Sequence, residues 1–125
     1  ATTRVSVEGL SWDEIEGARD LWARLRAVSR TLPYVEDIWL SDPAGRLRLS
    51  TIAWPTPASN AADRDFFTAH RAPNDRLFVG EPIIGRVTQR PTFLLSRRLD
   101  GPDASFRGVA SVTADLAYFT DYWSR

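Results

Sequence analysis

The sequence predicts an α+β domain in which a long N-terminal helix packs on an antiparallel sheet of five short strands, with short helices beside it. Apolar residues recur at helical spacing between Ser11 and Pro33, which is the pattern of a half-buried helix. The spacing then changes to the alternation of strands, and turn-forming residues follow at short intervals. With 125 residues, the chain has the length of one domain with a single core.

The predicted helix begins at Ser11. The Ser11 hydroxyl can accept a hydrogen bond from the backbone of Glu14, whose carboxylate can return one, as in a capping box. Apolar residues follow at Ile15, Ala18, Trp22 and Leu25. Because Pro33 cannot continue a helix, we predict one helix of about 20 residues that buries this stripe.

The rest of the chain alternates between strand patterns and turns. Residues 35–40 and 46–53 predict a hairpin, because Pro43 and Gly45 between them suit a tight turn. Residues 55–62 contain two prolines and small side chains, which indicates a loop. Further strands are predicted at 77–84, 92–99 and 106–113, and a short aromatic helix at 115–123.

Charge and composition exclude several functions. All 16 basic residues are arginines and 16 acids balance them, so neither a nucleic acid nor an anionic membrane surface is expected as a partner. The chain has no cysteine, which excludes disulfides and thiol catalysis. It has no methionine, so we expect a fragment or a processed chain. Any membrane anchor is expected outside it, because no apolar run approaches the roughly 20 residues that cross a bilayer.

Residues 63–67, with the sequence Asp-Arg-Asp-Phe-Phe, place a cation beside two aromatic rings, and we call them the clamp motif. Arg64 can hold a carboxylate with two parallel hydrogen bonds while a neighbouring ring excludes water. The motif also fits a purely structural role, in which Asp63 and Asp65 begin a helix and both phenylalanines enter the core. The motif alone leaves both interpretations open.

Neither catalysis nor metal binding is predicted. The chain has one histidine and no lysine, and it contains neither a nucleophile motif nor a glycine-rich phosphate loop. His70 with Asp63 or Asp65 would form a poorly placed acid–base pair on one short helix. Two phenylalanines stand where a calcium site at these aspartates would need oxygen ligands. We therefore expect neither an enzyme nor a cofactor.

Four segments together resemble the Cache, or PDC, extracytoplasmic sensor domains. They are the clamp motif, Leu-Phe-Val-Gly-Glu-Pro at 77–82, Leu-Ser-Arg-Arg-Leu at 95–99 and Phe-Arg-Gly-Val-Ala at 106–110. The order of elements also agrees over nearly the whole chain. The resemblance implies a PAS-like sheet domain that is one periplasmic sensor module of a bacterial membrane receptor, such as a histidine kinase, a diguanylate cyclase or a chemoreceptor.

In such domains a small metabolite lies between the sheet and the loops above it, and the arginine of the clamp motif holds its carboxylate. The resemblance therefore implies that Arg64, Phe66 and Phe67 bind the ligand. Polar contacts must come from the strands, because Ile84 occupies the place of a ligand-binding tyrosine.

The acids that neutralise the ammonium group of an amino-acid ligand in this family are replaced here by Arg86 and Thr113. An ammonium group beside Arg86 would meet a like charge in a pocket of low dielectric. This favours a small anionic metabolite over an α-amino acid. A shift of the alignment by two residues would instead bring Asp115 into the place of one acid.

Further residues on the strands and on the short helix complete the candidate site. Ser96 and Ser111 lie on the alternation that faces the ligand, with Arg98 as a further candidate. His70 is expected near the pocket, where its usual pKa of about 6.5 would make ligand binding sensitive to pH.

The competing interpretation is a structural or dimerisation module of the same kind of receptor. In that case the stripe of the N-terminal helix would pair with a second copy as a homodimer, and the pocket would hold no ligand.

Overall fold

The computed structural model describes residues 9–84, 89 and 91–118. Six strands form one antiparallel sheet: β1 (Val35–Ser41), β2 (Leu47–Ser50), β3 (Phe78–Val79), β4 (Ile83–Ile84), β5 (Pro91–Asp100) and β6 (Phe106–Asp115). The order is β2-β1-β6-β5-β3. Strands β3 and β4 pair with different stretches of β5 and share one edge, so the sheet has five positions. The predicted α+β fold is confirmed.

The single N-terminal helix predicted from the sequence is wrong, because the segment forms two helices, α1 (Trp12–Gly17) and α2 (Arg19–Arg30). The predicted capping box is present, with Ser11 Oγ 3.1 Å from the Glu14 nitrogen and Glu14 Oε1 2.9 Å from the Ser11 nitrogen. The break falls at Ala18, whose ψ of 83° is not helical. Its neighbour Gly17 is a poor helix former, by about 1 kcal/mol relative to alanine.

Separate anchors on the sheet give the physical reason for the break. The indole of Trp12 donates to the carbonyl of Arg107, and the indole of Trp22 donates to the carbonyl of Ser50, both at 2.9 Å. Arg107 lies at the start of β6, whereas Ser50 ends β2. Each helix is therefore tied to its own strand, on either side of the break at Ala18.

Both helices pack on the same face of the sheet and form the first core with it. The buried members of this core are Ile15, Leu21, Leu25, Leu40, Leu49 and Leu99. Ala18 and Trp22 pack against it as partly buried residues. The predicted apolar stripe is therefore covered by the sheet of its own chain, and pairing with a second copy would need another surface.

The hairpin between β1 and β2 closes as predicted. Asp42 Oδ1 accepts hydrogen bonds from the backbone of Ala44 and Arg46 at 3.0 and 3.1 Å. Gly45 has a φ of +84°, and a Cβ there would lie 2.6 Å from the nitrogen of Ala62. Only glycine fits this turn, because the loop that follows β2 packs directly on it.

Arg48 fastens α1 to this hairpin. Its side chain is nearly buried and contacts Glu16 and Asp13 at 2.6 Å each and Asp42 at 2.9 Å. The buried end of this arrangement is Asp42, whose side chain is 11% exposed.

Two strand predictions are too long. The strand predicted at 77–84 is interrupted between β3 and β4, because Pro82 has no backbone donor for a ladder and Gly80 precedes it. The strand predicted at 46–53 covers only Leu47–Ser50. Most of the aromatic helix predicted at 115–123 lies outside the described residues.

Candidate ligand site

The sheet face opposite α1 and α2 is buried and polar. The register places Trp39 opposite Ser111 and Ser111 opposite Ser96, so alternate residues of β1, β6 and β5 point to this face. Its polar members are at most 6% exposed. We call these residues the polar floor: Asp37, Ser96, Ser111 and Thr113.

A short helix, α3 (Asp65–Thr68), covers part of this face. Phe66 and Phe67 are both buried and join a second core with Leu94 and Val109. The Phe66 ring stands edge-on to Trp39, with 5.3 Å between centroids. The structure thus places both phenylalanines of the clamp motif between the helix and the sheet, where Phe66 borders the polar floor.

Arg64 caps the start of α3 in an extended conformation, with φ −89° and ψ 147°. Its side chain is half-buried. No hydrogen bond or ion pair joins its guanidinium to any other residue within 9–84, 89 and 91–118. Arg86, the second predicted cation, lies outside the described residues. Arg64 is therefore a cation available to a ligand at the helix that covers the polar floor.

His70 and Ser96 form a buried pair below the end of α3. Ser96 Oγ donates to the carbonyl of Phe66 at 3.0 Å, so it must accept its other hydrogen bond, also 3.0 Å long, from His70 Nε2. The proton of the neutral imidazole then sits on Nε2, and Nδ1 is a bare acceptor. Nδ1 has no partner among the described residues.

Burial lowers the pKa of His70, and the charges of Arg97 and Arg98 lower it further, while Asn74 and Ser96 oppose the shift. The imidazole is thus neutral at pH 7. The pH-sensitive range predicted from its usual pKa moves accordingly to lower pH.

The two predicted residues of β6 differ in how they are paired. Thr113 Oγ1 accepts a hydrogen bond of 2.7 Å from the indole of Trp39. Ser111 Oγ is buried and has no partner in the described part of the chain. Buried polar atoms are normally paired with protein or with water, so Ser111 Oγ is a position where a bound polar group would be stabilised.

Arg98 has a structural role. It is 3% exposed and donates at 2.8 Å to the carbonyls of His70, Arg71 and Ala104 and to the carboxylate of Asp100. These contacts fix the end of α3 to the sheet.

Asp37 is a member of the polar floor that the sequence analysis missed. Its carboxylate accepts from Ser50 Oγ at 2.7 Å and from the backbone and hydroxyl of Thr51 at 2.9 and 3.0 Å. Burial raises the pKa of Asp37 from 3.8 to about 6, although these hydrogen bonds favour the ionised form. The only sequence signal was its place on the same alternation as Trp39, beside a second acid at Glu36.

The described residues contain no cluster of three or more side chains suited to a metal ion. None of the helices in the described part of the chain is long and apolar enough to cross a membrane.

Neither a protein-family model nor a curated protein matches this sequence, but solved structures do. The extracellular domain of rpHK1S-Z16, described as a histidine kinase, is 28% identical with a TM-score of 0.77, over 98% of this chain and 52% of that one. The ligand-binding domain of the Campylobacter jejuni chemoreceptor Tlp3, solved with 4-methylisoleucine, is 12% identical with a TM-score of 0.72, over 96% and 50%.

A third match is the ligand-binding domain of the Pseudomonas aeruginosa PAO1 amino-acid chemoreceptor PctC in complex with GABA. It is 19% identical with a TM-score of 0.65, over 95% of this chain and 56% of that one. This chain therefore spans about half the length of the structures it matches.

The fold and its buried polar face thus define a PAS-like sensor domain. More particularly, its fold matches the extracytoplasmic sensor domains of histidine kinases and chemoreceptors, which is consistent with the Cache, or PDC, type. The resemblance seen in the sequence is confirmed. The diguanylate cyclase alternative for the output domain stays a prediction.

Proposed function

We propose that this chain is the periplasmic ligand-binding module of an inner-membrane signalling receptor and that it recognises a small carboxylate through Arg64. The observation that carries the proposal is a buried polar sheet face with an unpaired hydroxyl at Ser111, covered by a helix that begins at a cation without a partner in the described residues. A bidentate arginine–carboxylate pair would satisfy the cation.

The hydrogen bonds that the acids near the polar floor already accept favour a carboxylate ligand without an ammonium group. The carboxylate oxygens of Asp37 already accept three hydrogen bonds. Asp115 Oδ1 accepts from the backbone of Tyr118, as a residue that caps a helix does. Neither acid is therefore well placed to compensate an ammonium group, which fits the prediction from Arg86 and Thr113.

Within this proposal, Phe66 and Phe67 enclose the apolar part of the ligand, and Ser96, Ser111 and Thr113 present hydroxyls from the floor. His70 supports the floor through Ser96. We also propose that residues 1–125 are one sensor module of a larger receptor, because the matched structures are about twice as long. A ligand would change signalling only by binding one conformation of the module more tightly than another.

Thermal unfolding in the presence of ligand tests the proposal. The panel contains mono- and dicarboxylates of two to six carbons, with GABA and isoleucine as amino-acid comparators. At about 100 times its dissociation constant a ligand adds roughly 2.7 kcal/mol, so we expect a carboxylate to raise the Tm by several degrees. Arg64→Ala should abolish this shift, whereas the control Arg76→Ala, at an exposed arginine away from α3, should keep it.

A shift that survives Arg64→Ala would contradict the site but keep the sensor. A shift with isoleucine or GABA alone would contradict the proposal that the ligand is a carboxylate without an ammonium group. No shift with any compound would favour the second candidate function, a structural or dimerisation module.

One observation favours that second candidate. Val28 and Leu32, at the end of α2 and just beyond it, are 45% and 37% exposed, and exposed apolar residues that form one patch can mark a contact between proteins. A homodimer through these residues would be lost in the double variant Val28→Asp/Leu32→Asp. Sedimentation equilibrium tests this alternative by comparing the mass of the natural chain in solution with that of the double variant.

A further inference from the structure

A second charged surface lies on the helical side of the molecule, away from the polar floor. An open groove of about 690 Å³ runs between α2 and residues 52–54, which follow β2. Five large side chains dominate its lining, and we call it the arginine groove: Arg19, Trp22, Arg26, Arg30 and Trp54.

The positive charge of this groove is not balanced from within. Among the described residues, no acid lines it. The three arginines lie on one helix, with about 10 Å and about 6 Å between successive positions along its axis. Neither Arg19 nor Arg30 has an ion pair within the described ranges. By contrast, the buried Arg48 contacts three acids and Arg98 contacts one.

Two of the arginines, Arg19 and Arg26, are also held in place before any anion binds. The guanidinium of Arg26 lies 5.1 Å from the Trp22 ring centroid, and that of Arg19 lies 5.9 Å from the Trp54 centroid. The two indoles are themselves 5.7 Å apart, and Arg26 Nη1 donates to the carbonyl of Thr51 at 3.2 Å. Stacked guanidinium groups lose less conformational freedom on binding than mobile ones.

An adjoining cavity of about 380 Å³ marks one end of the groove. It shares Arg26 and Arg30 with the groove, and Glu36 lines it. The acid therefore lies outside the arginine groove, at the end away from Arg19 and Trp54.

We propose that the arginine groove binds a small polyvalent anion, one that carries two or more phosphate or carboxylate groups. One acidic group would pair with Arg19 and Arg26, and the next with Arg26 and Arg30. The volume is within the range of small-molecule sites. A free metabolite and a phospholipid headgroup share this chemistry. The site is separate from Arg64 and does not depend on the proposed sensor ligand.

Calorimetric titration with inorganic tripolyphosphate at constant ionic strength tests the groove. We expect the double variant Arg19→Gln/Arg30→Gln to bind at least about tenfold more weakly than the natural chain, since charge-assisted hydrogen bonds are lost. Arg26 stays in place because it also contacts the Thr51 carbonyl. The matched control is Arg24→Gln/Arg76→Gln, which removes the same charge from exposed positions outside the groove and should change the dissociation constant less than about twofold.

In an Arg64→Ala background the groove variant should still bind tripolyphosphate at least about tenfold more weakly, which separates this site from the sensor pocket. Equal weakening in the groove variant and the matched control would overturn the proposal, because it would show only the effect of net charge. Loss of this tenfold difference in the Arg64→Ala background would overturn the proposal too. Circular dichroism of each variant establishes that it is folded.

Sedimentation with vesicles distinguishes the two sources of the anion. Vesicles of phosphatidylcholine with cardiolipin, whose headgroup carries two phosphates, are compared with vesicles of phosphatidylcholine alone. Binding to the anionic vesicles that the groove variant loses and the matched control keeps would support the site and assign it to a headgroup. If the groove variant loses binding to tripolyphosphate and no variant binds the vesicles, the result would support the site and assign it to a free anion. Binding to neither probe would overturn the proposal.

Discussion

Arg98→Met should destabilise the domain by about 3–4 kcal/mol. Arg98 is 3% exposed and donates to three backbone carbonyls and to Asp100. A hydrogen bond from a charged donor contributes about 1.5–3 kcal/mol, so the three carbonyl bonds alone would exceed about 4 kcal/mol. Water can reach the released carbonyls in part, which reduces the loss, and methionine retains much of the apolar stem.

Urea denaturation measures this loss, with Arg97→Met as the matched control. Arg97 is the adjacent residue on β5, is exposed, and donates one hydrogen bond of 2.8 Å to the Asp75 carbonyl, so its substitution should cost below about 1 kcal/mol. Arg98→Met should also lower the Tm by about 10–15 °C for a domain of this size and accelerate amide exchange in residues 66–71. A difference of less than about 1 kcal/mol between the two variants would refute the role assigned to Arg98.

Three other substitutions test the hairpin and the polar floor. Arg48→Leu should lower the free energy of unfolding in urea by about 2–3 kcal/mol, because it leaves the buried acid Asp42 without its partner. Arg46→Leu breaks only an exposed ion pair worth below about 1 kcal/mol, so equal losses in the two variants would disprove the role given to Arg48. Stability should fall by up to about 3 kcal/mol as the pH rises from about 4 to about 6, because the pKa of Asp37 is 3.8 when unfolded and about 6 when folded. Protonation thus favours the folded state in this range, and Asp37→Asn should remove that part of the slope; an unchanged slope would refute the assignment. Gly45→Ala should lower the free energy of unfolding by about 1–3 kcal/mol, since φ is positive and the added Cβ would meet backbone atoms. By contrast, Gly17→Ala adds a Cβ in open space and should be neutral or stabilising in thermal unfolding.

Local signals in the sequence predicted the features that depend on neighbouring residues. The capping box at Ser11 and the turn at Gly45 were predicted because each depends on a few residues close in sequence. The break at Ala18 was not predicted, since the apolar stripe continues through it and the cause is two indole anchors on distant strands. Secondary structure that depends on such long-range contacts leaves little trace in local periodicity.

The candidate site divides in the same way. The clamp motif and the alternation of Ser96 and Ser111 could be recognised in the sequence, because strand periodicity assigns residues to faces. The different roles of Arg97 and Arg98 could not, since both are arginines and only the carbonyls near Arg98 make it structural. Asp37 was missed because its partners, at the end of β2, come beside it only in the folded hairpin.

The central strand β6 is shared by two compartments. Ser111 and Thr113 belong to the polar floor, whereas Ala110, one residue before Ser111, packs against the core beneath α1 and α2. Only the thickness of one backbone separates the ligand side from the helical side. A bound molecule that displaces β6 by a fraction of an ångström would therefore also displace residues on which both helices pack. The change would reach the helices through β6 itself and not through the loops.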